Sequence, residues 1–193
     1  MNRAKVVGIA GSPRRAGNSE RLLDRAMAGA RDKGAEVEKI IVSDLKIAPC
    51  QECLLCVRTG ECTIKDDFQL VQNKIREAEG IIIASPIFFT SVPAQLKTMI
   101  DRFQCVWAWK CVLKKQEPWE RGKRRGVFIS VSGLRQPRFF ENASQVIKAF
   151  FFMIGATYTG ELFCPGIAAE EGIEKYPDCL NRATELGGKI IKG

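Results

Sequence analysis

Apolar and mixed segments alternate along the chain in a regular order. Short runs that suit β-strands occur at 5–10 (KVVGIA), 36–42, 80–85 (GIIIAS), 126–131 (GVFISV) and 157–163. Apolar residues at helical spacing predict helices over 19–33, 66–79, 94–103, 141–154 and 173–191. The second helix is predicted to begin at Asp66 as its N-cap and to bury Leu70, Val71, Ile75 and Ala78.

This alternation of strands and helices is typical of a parallel sheet covered by helices on both faces. Uninterrupted apolar strands such as 80–85 belong at the centre of such a sheet, whereas the mixed strand 36–42 suits an edge. We therefore predict a single α/β domain over 1–193, with a flavodoxin-like doubly wound sheet of five parallel strands in the order 2-1-3-4-5. Residues 105–125 form the one irregular insertion.

The predicted loop 48–63 contains four cysteines at the spacing C-x2-C-x2-C-x5-C, namely Cys50, Cys53, Cys56 and Cys62. Three thiols separated by two residues each can turn toward one small object, and a bend before the fourth completes the set. This pattern suits a [4Fe–4S] cluster, in which each iron takes one thiolate. Structural zinc usually takes two separated Cys pairs, often with histidine, and the chain has no histidine. Zinc and free thiols stay open as alternatives, while a disulfide knot does not suit a chain without secretory features.

The composition is that of a soluble globular protein, with 46% hydrophobic and 27% charged residues among 193. No apolar run is long enough for a membrane span and no cleavable signal is evident, so we expect a cytoplasmic protein with neither membrane nor nucleic-acid partners. The net charge of +8 includes one basic cluster, which we interpret as a solvated loop or as a docking surface for an acidic redox partner. Its members are Lys110, Lys114, Lys115, Arg121, Lys123, Arg124 and Arg125.

Three predicted loops follow the carboxyl ends of strands one, three and four, where doubly wound sheets bind ligands. The first loop, GSPRRAGNS, offers hydroxyls, a guanidinium and helix N-terminal amides to a phosphate, although an ordinary turn shaped by Pro13 and Gly17 would also explain it. The second loop follows Ser85 and carries two phenylalanines and two hydroxyls that could wall an isoalloxazine ring. The third is the turn Ser132-Gly133.

The segments GSPRRAGNS and SPIFFTSVPAQLKTMIDR resemble the NAD(P)H-dependent FMN reductase branch of the flavodoxin-like proteins. With the cysteine motif between them, nearly the whole chain resembles the iron-sulfur flavoprotein family. The resemblance implies that the four motif cysteines ligate a [4Fe–4S] cluster and that FMN is the second cofactor. It assigns the FMN phosphate to Ser12, Arg14, Gly17, Asn18 and Ser19, and the ring to Pro86, Ile87, Phe88, Phe89, Thr90, Ser91, Ser132 and Gly133. Relatives usually carry tyrosine in place of Phe88, so one hydrogen bond is lost while the flat surface is kept.

The resemblance further implies an oxidoreductase that takes electrons from reduced ferredoxin or a similar redox protein. These electrons would pass through the cluster to FMN and on to a small acceptor such as dioxygen or peroxide, in a homodimer or homotetramer. No catalytic side chain is assigned, because protons can reach a flavin from water. The alternatives are an NAD(P)H-dependent FMN or quinone reductase and a zinc-stabilised binding module.

The remaining cysteines and the tryptophans are expected to have structural roles. Cysteines outside metal sites are usually buried small apolar residues, which is the expectation for Cys105, Cys111, Cys164 and Cys179. The three tryptophans are expected in the core or in a subunit interface: Trp107, Trp109 and Trp119.

Overall fold

The computed structural model describes residues 3–115, 117–120 and 124–191. Five parallel strands form one sheet in the order β2-β1-β3-β4-β5. The strands are β1 (Lys5–Ala10), β2 (Glu36–Ile41), β3 (Gly80–Pro86), β4 (Arg124–Ser132) and β5 (Ala156–Pro165). The predicted fold class, strand order and edge position of β2 are confirmed.

The described part of the chain forms seven α-helices. They are α1 (Asn18–Asp32), α2 (Cys56–Thr59), α3 (Phe68–Glu77), α4 (Ala94–Asp101), α5 (Gln104–Trp107), α6 (Arg138–Met153) and α7 (Pro177–Gly188). The five predicted helices are present, and the short helices α2 and α5 are additional. Helix α7 begins four residues later than predicted, because Ile173–Lys175 form a 3-10 turn and Pro177 occupies the first helical turn.

Side chains of the central strand β3 alternate between two hydrophobic layers. Ile81 and Ile83 pack into a cluster with α3, α4 and α6, whereas Ile82 and Ala84 pack into a cluster with α1 and α7. Residues of a strand point alternately to the two faces of the sheet. Both faces are covered here, which explains why the run GIIIAS is apolar at every position.

Helices α1 and α7 cross with their backbones in close contact at two glycines. A Cβ atom on Gly187 would lie 1.8 Å from the carbonyl oxygen of Ala26, and one on Gly29 would lie 2.0 Å from the carbonyl oxygen of Thr184. Neither position has room for a side chain, so this crossing depends on glycine in both helices.

The inner face of α3 differs from the prediction in one residue. Phe68, Val71 and Ile75 are buried with no exposed surface, but Leu70 is 46% exposed and its predicted burial is wrong. Asp67 rather than Asp66 occupies the N-cap position, although the Asp66 carboxylate accepts a hydrogen bond from the Phe68 amide at 3.0 Å.

The predicted irregular insertion is largely helical in its first half. Helix α5 continues into a π-helical turn over Ala108–Val112. Trp119 is 4% exposed and packs in the core, as expected, whereas Trp107 is 41% exposed. The interpretation as an irregular insertion is therefore wrong for 105–112.

One member of the basic cluster is a core residue. The Arg124 side chain is buried and its guanidinium donates hydrogen bonds to four carbonyl oxygens, those of Ile75, Arg76, Pro118 and Ile154. The interpretation of the cluster as a solvated loop is wrong for this residue. Arg121 and Lys123 lie outside the described residues. In the ranges that the structure describes, no helix is both long and apolar enough to span a bilayer.

Candidate flavin and cluster sites

The three predicted ligand loops lie side by side at the carboxyl edge of the sheet. The Ile87 amide donates to the Val131 carbonyl at 3.0 Å, which joins the loop after β3 to the end of β4. The Ile167 amide donates to the Ser132 carbonyl at 2.9 Å, so the loop after β5 also joins the group. This fourth loop, 166–172, was not predicted to take part.

The loop after β1 leads into the N-terminus of α1, where Gly17 is the N-cap. Ser12 and Ser19 are buried, and the Ser12 hydroxyl oxygen accepts a hydrogen bond from the Arg14 amide at 3.1 Å. The Ser12 proton therefore remains available to a ligand. Free amides at a helix N-terminus together with hydroxyls form a suitable anion site.

Glu20 fixes the shape of this loop, and sequence reasoning missed it. Its carboxylate accepts a hydrogen bond from the Ala16 amide at 2.7 Å and forms an ion pair with Lys39 at 3.0 Å. Burial acts to raise the pKa of Glu20, but Lys39, the Ala16 amide and Arg15 outweigh burial and hold the pKa below its usual range. Glu20 is the third residue of α1, a position at which glutamate often bonds back to the preceding turn, and that signal could have identified it.

The Asn18 side chain is fully engaged by the loop after β5. Its amide nitrogen donates to the carbonyls of Ala168 at 3.1 Å and Glu171 at 2.8 Å, and its oxygen accepts the Ile173 amide at 3.1 Å. The predicted contact of Asn18 with phosphate stays a prediction, and its visible contacts tie α1 to the fourth loop. The exposed Arg14 side chain uses one N–H for the Ala169 carbonyl, which leaves its other N–H groups for a ligand.

The loop after β3 contains a tight two-residue hairpin. Phe88 and Ser91 exchange two backbone hydrogen bonds of 2.9 Å, and the residues between them, Phe89 and Thr90, have φ of +46° and +61°. Phe88 is 48% exposed and Phe89 fully exposed, so both rings present flat apolar surface, and their contact with the flavin stays a prediction. Pro86 and Ile87 are half-buried behind them.

Replacing Thr90 with glycine is expected to raise the free energy of unfolding by about 1 kcal/mol. A β-branched residue at positive φ is strained by about 1–3 kcal/mol. Glycine relieves this strain but loses more chain entropy on folding, which offsets about 0.5–1 kcal/mol of the gain. The measurement is denaturant unfolding of FMN-free protein. Ser91→Gly is the control, because Ser91 is not at positive φ and its replacement is expected to destabilise. Equal effects of the two changes would contradict the assignment of strain to Thr90.

The turn after β4 leaves open space in front of it. The Ser132 hydroxyl oxygen accepts the Leu134 amide at 3.1 Å, and a Cβ on Gly133 would meet nothing closer than Ala168 at 3.8 Å. The protein's own atoms therefore do not require glycine here, whereas a ligand lying against the turn would.

The cysteine loop follows β2 and a 3-10 turn, Val42–Asp44, so it leaves the same edge of the sheet as the flavin loops. Its backbone is left-handed at Glu52 (φ +50°) and Leu54 (φ +58°). Alternation of left- and right-handed residues turns successive amides to one side and forms an anion-binding concavity of the kind found at iron-sulfur sites. The Leu55 amide, followed by the Thr63 hydroxyl, lowers the pKa of Cys53 by hydrogen bonding to its sulfur.

The four motif thiols are close neighbours. The pKa of Cys56 is raised by burial and then by the nearby thiols Cys53, Cys62 and Cys50. In the described ranges, no set of three Cys, Asp or Glu residues converges on a single ion. Four thiols without histidine are the donor set that a four-iron cluster takes, one thiolate for each iron. The assignment of these cysteines as cluster ligands stays a prediction.

The insertion after α4 packs against the cysteine loop. A Cβ on Gly60, which has φ +80°, would lie 2.3 Å from the Trp109 ring, so the loop and the indole are in direct contact. Cys105 is buried here, and burial followed by the thiols Cys62 and Cys56 raises its pKa to about 12. Cys105 thus lies by the cysteine loop.

The other cysteines match the expectation only in part. Cys105 and Cys164 are buried, as expected. Cys179 is half-buried and Cys111 is exposed, so the expectation is wrong for Cys111.

Helix α4 connects the two candidate sites. It begins directly after Pro93, at the end of the flavin loop, and ends at Asp101, next to Arg102 below the cysteine loop. A second link is the ion pair between Arg15 of the first loop and Asp44 just before the cysteine loop.

Comparison with known proteins agrees with this arrangement. The family profile of NADPH-dependent FMN reductases matches residues 4–164. An iron-sulfur flavoprotein of Archaeoglobus fulgidus is 33% identical over 97% of this chain and 79% of its own length. A second from the same organism is 32% identical over 96% of this chain and 98% of its own length. The chain belongs to the iron-sulfur flavoprotein family. It is therefore a flavin oxidoreductase, and FMN is its flavin.

Solved structures show the same fold at lower identity. The NAD(P)H:quinone oxidoreductase from Methanothermobacter marburgensis superimposes with a TM-score of 0.72 at 16% identity, covering 100% of this chain and 99% of that one. The flavodoxin-like architecture of this iron-sulfur flavoprotein is thus shared with proteins of very different sequence.

Replacing Arg14 with alanine is expected to weaken FMN binding roughly tenfold to 150-fold, because a charge-assisted hydrogen bond to phosphate contributes about 1.5–3 kcal/mol. Isothermal titration with FMN measures the effect. Arg15→Ala is the control, since Arg15 is the neighbouring exposed arginine but pairs with Asp44 and Glu20. Equal losses in both variants would place the phosphate elsewhere.

Proposed function

We propose that this protein passes electrons from a one-electron donor such as ferredoxin, through a [4Fe–4S] cluster held by Cys50, Cys53, Cys56 and Cys62, to FMN and on to a small acceptor such as O2 or H2O2. The observation that carries the proposal is the presence of four neighbouring thiols and the flavin loops at one edge of one sheet, linked by α4. Relatives named iron-sulfur flavoproteins support it.

A cluster carries one electron at a time and a flavin one or two, so a protein holding both can connect a one-electron donor to a two-electron acceptor. The chain's own residues would hold and orient the FMN. The first loop offers Ser12, Ser19 and Arg14 to the phosphate, and the exposed rings of Phe88 and Phe89 offer a face to the isoalloxazine. No side chain is assigned to proton transfer.

The same proposal includes a homodimer or homotetramer in the cytoplasm. The oligomer is supported by a groove of about 260 Å³ between α4, α5 and α6, lined by Ile100, Trp107, Phe150 and Met153 among others. The half-exposed indole of Trp107 in this groove is the type of residue that is enriched in protein interfaces.

The test begins with protein purified without oxygen, in which iron, sulfide and FMN are counted per chain. We expect four irons, four sulfides and one FMN, with broad brown absorbance and a low-temperature EPR signal after reduction. Stopped-flow mixing with reduced ferredoxin should then bleach both cofactors. A ferredoxin that bleaches neither would refute the donor assignment, and a colourless protein containing zinc would refute the cluster.

A second candidate is an NAD(P)H-dependent FMN or quinone reductase in which the cluster is structural. The match to NADPH-dependent FMN reductases favours it. Rapid reduction of the flavin by NADPH alone, at a rate above that with ferredoxin, would decide for this candidate.

A further inference from the structure

Arg102 lies under the cysteine loop and contacts both of its ends. Its side chain has no exposed surface. Nη1 donates hydrogen bonds to the Ala48 carbonyl at 2.8 Å and to the Asp66 carboxylate at 2.6 Å, and Nη2 donates to the Ile64 carbonyl at 3.1 Å. Ala48 precedes the first motif cysteine by two residues and Ile64 follows the last by two. One guanidinium therefore joins the two stems of the loop, which are the backbone segments at Ala48 and at Ile64.

Asp66 completes this closure. Its carboxylate also accepts the Ala48 amide at 2.9 Å, so the first stem is bonded through both its carbonyl and its amide. The guanidinium lies over the Phe68 ring, 4.7 Å from its centroid. This contact fixes the plane of the guanidinium and of its fork of N–H donors. A buried charge is costly unless it is paired, and the Arg102–Asp66 pair meets that condition.

The hydrogen-bonding capacity of Arg102 is not exhausted by these contacts. A guanidinium has five N–H donors and three are used, which leaves one on Nη2 and the one on Nε. Nε is buried and has no hydrogen-bond partner among the described residues. The Cys62 thiol neighbours the guanidinium. An unsatisfied donor inside a protein is destabilising, so a buried one next to a candidate ligand needs an explanation.

We propose that Arg102 is a positioning residue for the iron-sulfur site, with two effects. It holds the loop 48–64 closed before metal is bound, and its free N–H groups donate to the sulfur of Cys62 when that sulfur is a ligand. The inference rests on the proposed function and deepens it. A positive charge and hydrogen bonds at a ligand sulfur stabilise the more negative, reduced state, so Arg102 raises the reduction potential.

Lysine cannot replace arginine in this position. A single ammonium nitrogen cannot contact Ala48, Ile64 and Asp66 in the planar geometry of the fork, although it keeps the positive charge. Arg102→Lys therefore separates loop closure from charge, and Arg102→Gln removes both. Arg58, an exposed arginine within the cysteine loop, provides the matched control as Arg58→Gln.

The first measurement is an EPR-monitored redox titration of the full chain with both cofactors, purified without oxygen. For Arg102→Gln we expect the ratio of reduced to oxidised cluster at a fixed potential to fall about tenfold, which is about 59 mV for one electron. Arg102→Lys and Arg58→Gln are expected to shift it less than threefold. Equal potentials of Arg102→Gln and wild type would overturn the electrostatic effect.

The second measurement is amide hydrogen exchange over 48–64 in metal-free protein with FMN bound. We expect at least tenfold faster exchange in Arg102→Lys and Arg102→Gln than in wild type or Arg58→Gln. Unchanged exchange would overturn the closure of the loop. This measurement needs no cluster, so it decides the role of Arg102 even if iron analysis of wild type refutes the proposed function. If Arg102→Gln does not fold, exchange in Arg102→Lys decides.

Discussion

Replacing Cys53 with alanine is expected to abolish the four-iron absorbance and EPR signal while FMN remains bound at one per chain. Cys53 is the second of the four motif cysteines, and its sulfur lies 3.9 Å from the Thr63 hydroxyl oxygen. Removing one of four thiolates leaves an iron without its protein ligand. The flavin loops belong to other strand ends, so FMN should be unaffected. Iron and flavin analysis of anaerobic protein measures both.

The control for this prediction is Cys111→Ala, which removes an exposed thiol outside the motif. We expect this variant to keep its full content of iron and sulfide. A Cys53→Ala protein with an unchanged cluster spectrum would show that the ligand set is different. Loss of FMN together with iron would show that the two sites fold as one.

Replacing Gly187 with alanine is expected to lower the free energy of unfolding by about 3 kcal/mol or more, because a new methyl group forced against backbone cannot be accommodated by a rotamer change. The added Cβ would lie 1.8 Å from the Ala26 carbonyl oxygen, so α1 and α7 would have to separate. Denaturant unfolding followed by circular dichroism measures the loss.

The neighbouring glycine supplies the control. A Cβ on Gly188 would lie 3.4 Å from the nearest atom, the Gly29 carbonyl oxygen, which is close to ordinary contact. Gly188→Ala is therefore expected to change stability by less than about 1 kcal/mol, in either direction. Similar losses in both variants would argue that helix packing does not depend on the backbone contact at Gly187.

Hydrophobic periodicity was sufficient to predict the sheet, because the strands are short, the central ones are apolar, the edge strand β2 alternates, and helices separate them. It failed at Leu70, which is adjacent to the buried Val71 but one helical step of about 100° away from it. It also failed for α5 and Arg124. Those residues are ordered by contacts with the cysteine loop and with carbonyls distant in sequence, and no local pattern records such contacts.

The candidate sites were predictable as far as they consist of contiguous motifs. The cysteines, the first loop and the hairpin at Phe88–Ser91 each have a recognisable spacing. The fourth loop was missed because its part is played by backbone carbonyls such as that of Ala168, which any residue could supply. Arg102 was missed because its partners lie 36 to 54 residues earlier in the chain.

Helix α4 has a consequence for the lengths that this fold tolerates. Its eight residues span about 12 Å and fix the angular position of Arg102 relative to the flavin loop that precedes the helix. Inserting a single residue would rotate the arginine by about 100° and advance it by about 1.5 Å. Natural variation in chain length should therefore occur in the outer loops and not in helix α4.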